Sequence, residues 1–237
     1  DNNAQVANYL NGMISATQGT TGNRAIIIAP QCPQGQVWNS INNGDQWQPS
    51  GAGKSYYSET PAQQAARPIS SALQVAMNIL DNVQTTKKVD SSKIYITGLS
   101  MGGFGTWDAI TRFPGKFAAA MPQSGGGNVL AASSLVNVPI WAYHGTQDTI
   151  VYPNGSTQII NAMNSLGGTQ AIITQPATGH QGWGVFYGDN PTITYRIGQS
   201  PTTGGTDLYN NDTLYPWLFA QATPEPASLS LLVIGAV

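Results

Sequence analysis

The sequence predicts an α/β protein built around a doubly wound, mostly parallel β-sheet. Short runs of consecutive apolar residues recur along the chain, which is typical of strands buried on both faces of a parallel sheet. Segments with apolar residues at helical spacing alternate with these runs, as they do when a helix follows each strand. Hydrophobic residues make up 41% of the 237, which is sufficient for a sizeable core.

The predicted strands are apolar runs bounded by Gly, Pro or polar residues. The run RAIIIAP, residues 24–30, predicts a buried strand, with Ile26–Ile28 in the centre of the sheet rather than at its edge. The other predicted strands lie at 94–99, 117–122, 138–143 and 170–175.

Apolar residues three or four positions apart predict helices at 3–16, 61–84, 104–113, 152–166 and 212–221. A long segment rich in Gly, Asn and Gln, residues 31–60, is predicted as a loop, and loops of that length are usually functional. Within it, Gly51–Ser55 partly matches the phosphate-binding P-loop pattern. Gln48 replaces the first glycine of that pattern and no apolar strand precedes it, so we interpret the stretch as loop.

Composition restricts the possible partners. The formal net charge is −2 and only 8% of the residues are charged, so the chain offers no basic surface for a nucleic acid. A surface rich in uncharged polar residues is common in exported proteins. The single cysteine, Cys32, excludes an intramolecular disulfide and a Cys-based metal site, and we expect it to be a buried structural thiol.

The stretch Ile94–Gly103 contains the pattern Gly-x-Ser-x-Gly between a predicted strand and a predicted helix. This context predicts a nucleophile elbow, a sharp turn that exposes the Ser100 hydroxyl above the edge of the sheet. Gly98 and Gly102 are expected there because the turn leaves no room for a Cβ beside the serine. The backbone N–H of Met101, at the start of the helix, then points to a developing oxyanion. The alternative is an ordinary Gly-rich turn.

A serine nucleophile on such a sheet is followed in the chain by an acid and then by a histidine. His180 lies on a Gly-flanked loop after the last predicted strand, which suits a general base. Asp148 closes the loop after the strand at 138–143 and is the predicted acid, although it could simply form a turn. His144 precedes Asp148 and is interpreted as a structural histidine. Two alternative acids, Asp189 and Asp212, both come after His180.

Several stretches resemble the predicted-peptidase and phospholipase/carboxylesterase-like esterases of the α/β-hydrolase superfamily. They are APQCP, VDSSKIYITGLSMGGFGTWDAITRFPGKFAAAMPQSGG, VPIWAYHGTQDTIV, TGHQGW and LYPWLFAQ, between residues 29 and 221. The resemblance implies an α/β-hydrolase fold with Ser100 as nucleophile, Asp148 as acid and His180 as base, and with the Met101 N–H as an oxyanion donor. Trp183 matches an aromatic residue that flanks the histidine, where it either lines the substrate cleft or packs in the core.

The resemblance also divides the chain. Residues 1–221 match the catalytic domain, but relatives have earlier strands and a His-Gly loop with a second oxyanion donor, so we expect this domain to be incomplete at its N-terminus. Residues 222–237 resemble an incomplete PEP-CTERM sorting tail of Gram-negative bacteria, with Pro-Glu-Pro at 224–226 before an apolar stretch. This tail implies export to the cell envelope or beyond, transient membrane anchoring and a sorting protease. The alternative is a linker with an apolar terminus.

These inferences predict a serine hydrolase that cleaves carboxylic esters of small molecules or polymers through an acyl-enzyme. The chemistry requires neither a metal nor an organic cofactor. Two alternatives stay open, because a triad does not select the leaving group. The first is a serine peptidase or polyester depolymerase of the same fold. The second, from another class, is a catalytically silent exported protein that binds a surface.

Overall fold

The structure is a computed structural model, and it describes residues 11–18, 24–39, 60–188, 196–197 and 211–223. The strands are β1 (Tyr95–Leu99), β2 (Ala119–Gln123), β3 (Ile140–Tyr143), β4 (Ala171–Thr174) and β5 (Arg196–Ile197). The helices are α1 (Asn11–Gln18), α2 (Pro61–Ala66), α3 (Ser71–Thr86), α4 (Met101–Arg112), α5 (Ala132–Leu135), α6 (Asn154–Ser165), α7 (Trp183–Tyr187) and α8 (Asn211–Ala220). A 3₁₀ turn at Val129–Ala131 precedes α5.

The strands form one sheet in which each strand pairs with the next along the chain, in the order β1-β2-β3-β4-β5. The first four strands are parallel, and β5 is antiparallel to β4. The register aligns the last residues of those four strands, which are Leu99, Gln123, Tyr143 and Thr174. The loops that leave these ends therefore meet at one edge of the sheet, the edge at which open α/β sheets bind ligands.

Helices cover both faces of the sheet, which confirms the predicted doubly wound architecture. One face packs against α3, α4, α5 and α6, through buried residues that include Leu73, Trp107, Ile110, Leu135, Ile159 and Met163. The other face packs against α7 and α8, through buried residues that include Phe186, Tyr187, Leu214 and Leu218. Alternate residues of β3 supply the two cores: Ile140 faces the first and Trp141 the second. A strand buried on both sides is apolar at every position, which is why these runs were recognisable in the sequence.

The predicted strand at 24–30 is wrong, because residues 24–30 form neither a strand nor a helix. Ile26, expected at the centre of the sheet, is 55% exposed, and Ile27 and Ile28 are only half-buried. Among the described residues β1 pairs with β2 alone, so no strand from this run extends the sheet beyond β1. An apolar run becomes a strand only when a neighbouring strand accepts it in register, and its composition does not reveal that neighbour.

The predicted helix at 61–84 is two helices, α2 and α3. Proline lacks a backbone N–H and disfavours helical torsions in the residue before it, so Pro68 ends the first helix at Arg67, whose φ and ψ are −73° and 135°. Ser70 then caps α3, because its hydroxyl accepts a hydrogen bond from the Leu73 N–H at 3.1 Å. The continuous apolar spacing across this break concealed two separate helices.

Smaller differences concern element ends. Helix α4 begins at Met101, three residues before the predicted start, and the predicted last strand is followed by the two-residue β5. Trp183, expected on a loop, begins the short helix α7. The predicted helix at 3–16 is described only from residue 11. Residues 3–10, the P-loop-like stretch and the predicted sorting tail from residue 224 onward lie outside the described residues.

Candidate active site

Ser100 lies between β1 and α4 at the carboxyl edge of the sheet, in a strained conformation. Its φ of 52° and ψ of −114° are unfavourable for a residue with a side chain, and they reverse the chain within one residue. The Ser100 N–H donates to the Gln123 carbonyl at 2.9 Å, which ties the turn to the end of β2. The predicted strand–turn–helix context of the serine is confirmed.

The glycines around this turn have different roles. A Cβ on Gly98 would overlap the Gly102 backbone, so this position requires glycine. A Cβ on Gly102 would meet nothing within 4 Å, which contradicts the expectation that Gly102 is needed for space. Gly103, not singled out from the sequence, is the second tight position, because its Cβ would overlap the Gln123 carbonyl. Helix α4 thus packs backbone to backbone against the end of β2.

His180 lies within hydrogen-bonding distance of both Ser100 and Asp148. Its Nε2 is 2.8 Å from the Ser100 hydroxyl oxygen, and its Nδ1 is 2.7 Å from Oδ2 of Asp148. These residues are 80 and 32 positions apart in the chain, and they meet because their loops leave β1, β3 and β4 at the same edge. The structure therefore brings together the three residues that the sequence analysis selected.

The Asp148 carboxylate is enclosed and fully hydrogen-bonded. Its Oδ1 accepts from the N–H groups of Ile150 and Val151, both at 2.9 Å, while Oδ2 faces His180. Burial alone raises the pKa of Asp148, but the hydrogen bonds from His144, His180 and the Val151 N–H together hold it well below its usual range. The carboxyl group is therefore ionised near neutral pH, as an acid that orients and stabilises an imidazolium must be.

The loop that carries Asp148 and the loop that carries His180 are joined by backbone contacts. The N–H of Thr146 donates to the Pro176 carbonyl at 2.8 Å, and the N–H of Gln147 donates to the Thr178 carbonyl at 2.9 Å. A Cβ on Gly145 would overlap the Thr178 and Gly179 carbonyls, so the two loops approach each other as closely as backbone allows. This contact sets the distance between the acid and the base.

Tyr143 supports the His180 loop from below. Its hydroxyl donates to the Gln181 carbonyl at 3.2 Å, and burial raises the pKa of this phenol, which keeps the hydroxyl proton in place. Gly182 has a φ of +93°, and a Cβ there would overlap the Tyr143 hydroxyl oxygen. The loop therefore passes over the tyrosine without a side chain between them.

His144 is completely buried behind Asp148. Its Nε2 lies 2.8 Å from the Val151 carbonyl and 3.5 Å from Oδ2 of Asp148, so Nε2 carries a proton that it donates mainly to the carbonyl. Its Nδ1 lies 2.9 Å from the Ser156 hydroxyl oxygen, and this hydroxyl also contacts the Gly125 carbonyl at 3.0 Å. Both ring nitrogens are occupied and no exposed surface remains, as expected of a structural histidine.

Trp183 contacts His180 directly. The two rings are 4.9 Å apart between centroids and nearly perpendicular, at 88°. The indole N–H donates to the Ser124 hydroxyl oxygen at 3.0 Å, and the ring also packs against the second core. Ser124 was not selected from the sequence. Its position at a strand end, before the three glycines 125–127, is the signal that could have identified it.

The sequence analysis named two alternative acids, and it interpreted the single cysteine as structural. Asp189 is outside the described residues, and of Asp212 only the backbone is described. Cys32 is half-buried, and burial raises the pKa of its thiol, which disfavours the reactive thiolate.

Within the described ranges, no group of three or more His, Cys, Asp or Glu side chains could hold a metal ion. In the same part of the chain, no helix combines the length and apolar composition that crossing a bilayer requires.

Two curated proteins share short similar segments with this chain. A bifunctional acetylxylan esterase/xylanase of Neocallimastix patriciarum, XynS20E, is 38% identical over 74 residues, which are 31% of this chain and 11% of that protein. A poly(3-hydroxyalkanoate) depolymerase C of Paucimonas lemoignei is 40% identical over 48 residues, which are 20% of this chain and 12% of that protein. The similarity thus spans about a tenth of the length of either relative.

Solved structures include similar folds. A variant of Arabidopsis thaliana SOBER1 superposes with a TM-score of 0.51 at 18% identity, covering 76% of this chain and 86% of that one. A thermostable esterase superposes with a TM-score of 0.49 at 29% identity, covering 63% of this chain and 36% of that one. The SOBER1 likeness supports the fold alone.

A family model describes most of the chain. Residues 28–192 match the dienelactone hydrolase family, a segment that contains the elbow, the acid loop and the histidine loop. Together with the parallel sheet and its covering helices, this match shows that the chain is a member of the dienelactone hydrolase family and a hydrolase of the α/β-hydrolase fold.

Proposed function

We propose that this protein is a serine esterase that cleaves carboxylic esters through a Ser100–His180–Asp148 triad. The proposal rests on two hydrogen-bonding contacts that link the three side chains in series. One joins Ser100 Oγ to His180 Nε2, and the other joins His180 Nδ1 to Asp148 Oδ2. The side chain of His180 is only 10% exposed and that of Asp148 is fully buried, whereas Ser100 is half-buried at the edge of the sheet. We infer that substrate reaches these groups from the serine side.

The mechanism follows from the protonation states. His180 accepts the Ser100 proton as the hydroxyl oxygen attacks the ester carbonyl, and Asp148 stabilises the imidazolium that forms. The N–H of Met101, in the first turn of α4, has no acceptor within the helix and is available to the oxyanion. His180 then protonates the leaving alcohol, and water activated by His180 hydrolyses the acyl-enzyme.

The names of the two curated relatives favour ester over peptide substrates for this protein, because an acetylxylan esterase and a polyester depolymerase both cleave carboxylic esters. A polyester is the second candidate substrate class, supported by the 40% identical segment of the poly(3-hydroxyalkanoate) depolymerase.

We further propose that residues 222–237 direct sorting at the cell envelope after export, with transient membrane anchoring and removal by a sorting protease.

The deciding experiment compares wild type with Ser100→Ala on p-nitrophenyl acetate, a peptide p-nitroanilide and a film of poly(3-hydroxyalkanoate). Turnover of the acetate is expected to fall by about a thousand-fold or more in the variant, at an unchanged melting temperature. A fluorophosphonate probe is expected to label wild type and not the variant. If wild type neither turns over any of these substrates nor takes up the probe, the esterase proposal is refuted and the catalytically silent alternative is favoured.

A further inference from the structure

Ser124 combines a backbone strain and a buried hydroxyl that the catalytic proposal leaves unexplained. It follows β2 directly, its φ is +43°, and no part of it is exposed. A left-handed conformation disfavours any residue with a Cβ, and glycine adopts it freely. A serine at this position therefore indicates that the hydroxyl has a role.

The backbone at Ser124 has little freedom. Its N–H donates to the Tyr143 carbonyl at 2.8 Å, and a Cβ on the next residue, Gly125, would overlap the backbone of Gly103 in α4. The chain must turn sharply between these two contacts, which accounts for the positive φ. The turn needs no hydroxyl, and a glycine would make it without strain.

The hydroxyl of Ser124 is the acceptor for the indole N–H of Trp183 at 3.0 Å. This bond holds the indole N–H towards the end of β2 and so orients the ring. The indole ring in turn stands nearly perpendicular to the His180 imidazole, at a centroid distance of 4.9 Å. His180 itself lies on a loop between Gly179 and Gly182. Rotation of the imidazole out of line with Ser100 and Asp148 therefore requires movement of the indole.

We propose that Ser124 is a positioning residue, which holds the Trp183 indole against His180 and so keeps the imidazole aligned between Ser100 and Asp148. This inference rests on the proposed function, because alignment matters only if His180 transfers protons. Small misplacements of a proton-transferring group lower the rate strongly, while ground-state binding of a substrate depends on them little.

The test uses Ser124→Gly, which removes the hydroxyl and relieves the backbone strain. We expect kcat for p-nitrophenyl acetate to fall by about ten-fold or more, with KM changed by less than about two-fold, since misplacements near 1 Å can cost about a hundred-fold in rate. The melting temperature is expected to stay equal or rise, because glycine adopts this φ freely. A merely structural role would lower stability and leave kcat per folded enzyme unchanged.

Trp183→Phe is the second variant, since it keeps an aromatic ring beside His180 and removes the N–H. It is expected to lower kcat as Ser124→Gly does, and the double variant is expected to be no slower than either single variant. Thr174→Val is the matched control, because Thr174 accepts the indole N–H of Trp141 at 3.0 Å in the core, and its loss should affect stability only.

Active-site titration with the fluorophosphonate normalises every rate, and Ser100→Ala is measured first. Retained turnover in Ser100→Ala refutes the proposed function itself. If Ser100→Ala loses turnover but Ser124→Gly or Trp183→Phe keeps the wild-type kcat, only the role of Ser124 is refuted. The same holds if the two losses in kcat simply add in the double variant. If Ser124→Gly does not fold, the kcat of Trp183→Phe decides between these outcomes.

Discussion

Asp148 is the most enclosed of the three aligned residues, and its hydrogen bonds couple the chemistry of the site to the stability of the fold. Four partners surround one carboxylate: two backbone N–H groups and two imidazoles. Protonation of this carboxyl group would oppose all of them at once.

The pH dependence of stability follows from this arrangement. The folded-state pKa of Asp148 lies below the value of an unfolded Asp, about 3.9, so its contribution is complete above that pH. The contribution is lost as pH falls from about 4 towards the folded-state pKa. We expect the free energy of unfolding in urea to fall more steeply below pH 4 for wild type than for Asp148→Asn. Parallel curves for the two proteins would contradict the lowered pKa.

The two histidines are expected to respond differently to substitution. If His180 is the base of the proposed triad, His180→Ala should lower ester turnover by about a thousand-fold or more, with a small change in melting temperature. His144→Ala should act mainly through stability, because it leaves a cavity and removes the buried contacts to Val151 and Ser156. Kinetics and thermal unfolding of both variants provide the check, and the reverse pattern would assign the base to His144.

Among individual residues, sequence order and loop position were enough to select Ser100, Asp148 and His180, whose side chains the structure brings together. Ser124 could not be selected in this way. Its significance lies in a positive φ and in an indole 59 positions away, and neither is expressed in local residue pattern.

At the level of elements, the junction of β1 and α4 offers a matched pair of substitutions. Gly98→Ala places a Cβ against the Gly102 backbone and should destabilise the protein by about 1–3 kcal/mol or more. Gly102→Ala places its Cβ in open space within a helix, where alanine is favoured, and should leave stability unchanged or slightly higher. Thermal unfolding of the two variants tests this, and an equal loss in both would show that the turn tolerates neither Cβ.

The positions of β1–β4 were predicted to within about two residues, since strands buried on both faces are apolar throughout and end at polar or Gly-rich loops. The run at 24–30 has the same composition and is no strand, because pairing depends on a neighbour that composition does not specify. Helices α2 and α3 were predicted as one helix because the apolar spacing continues across the break between them. The local effect of Pro68 on its neighbour outweighed a continuous apolar spacing.

For the molecule as a whole, the described contacts indicate where the chain can be truncated without loss of the fold. The Gln221 carbonyl accepts from the Tyr95 hydroxyl at 3.0 Å, and the Thr223 N–H donates to the Ser92 carbonyl at 2.8 Å. We expect a chain that stops after Thr223 to keep its melting temperature and its ester turnover, since both contacts remain. Removal of residues 218–237 should lower the melting temperature, because it removes these contacts and the buried Leu218.

A chain in which truncation after Thr223 abolishes turnover would place part of the active site in the final residues. Export is a separate question, and it can be tested with the full-length chain and the chain that stops after Thr223. Cell fractionation is expected to find the longer protein at the envelope and the shorter one released, if residues 222–237 direct sorting.

The sheet order also bears on how the protein is made. Because β1, β2, β3 and β4 pair in the order in which they are synthesised, each strand meets a partner that has already left the ribosome, and much of the sheet can assemble as the chain grows. The reactive groups emerge in a fixed succession, with Ser100 first, Asp148 next and His180 last. A nascent chain that does not yet extend to His180 therefore carries Ser100 without its proposed base. On the proposed mechanism, it gains ester-cleaving activity only when most of the sheet that confines the serine is in place.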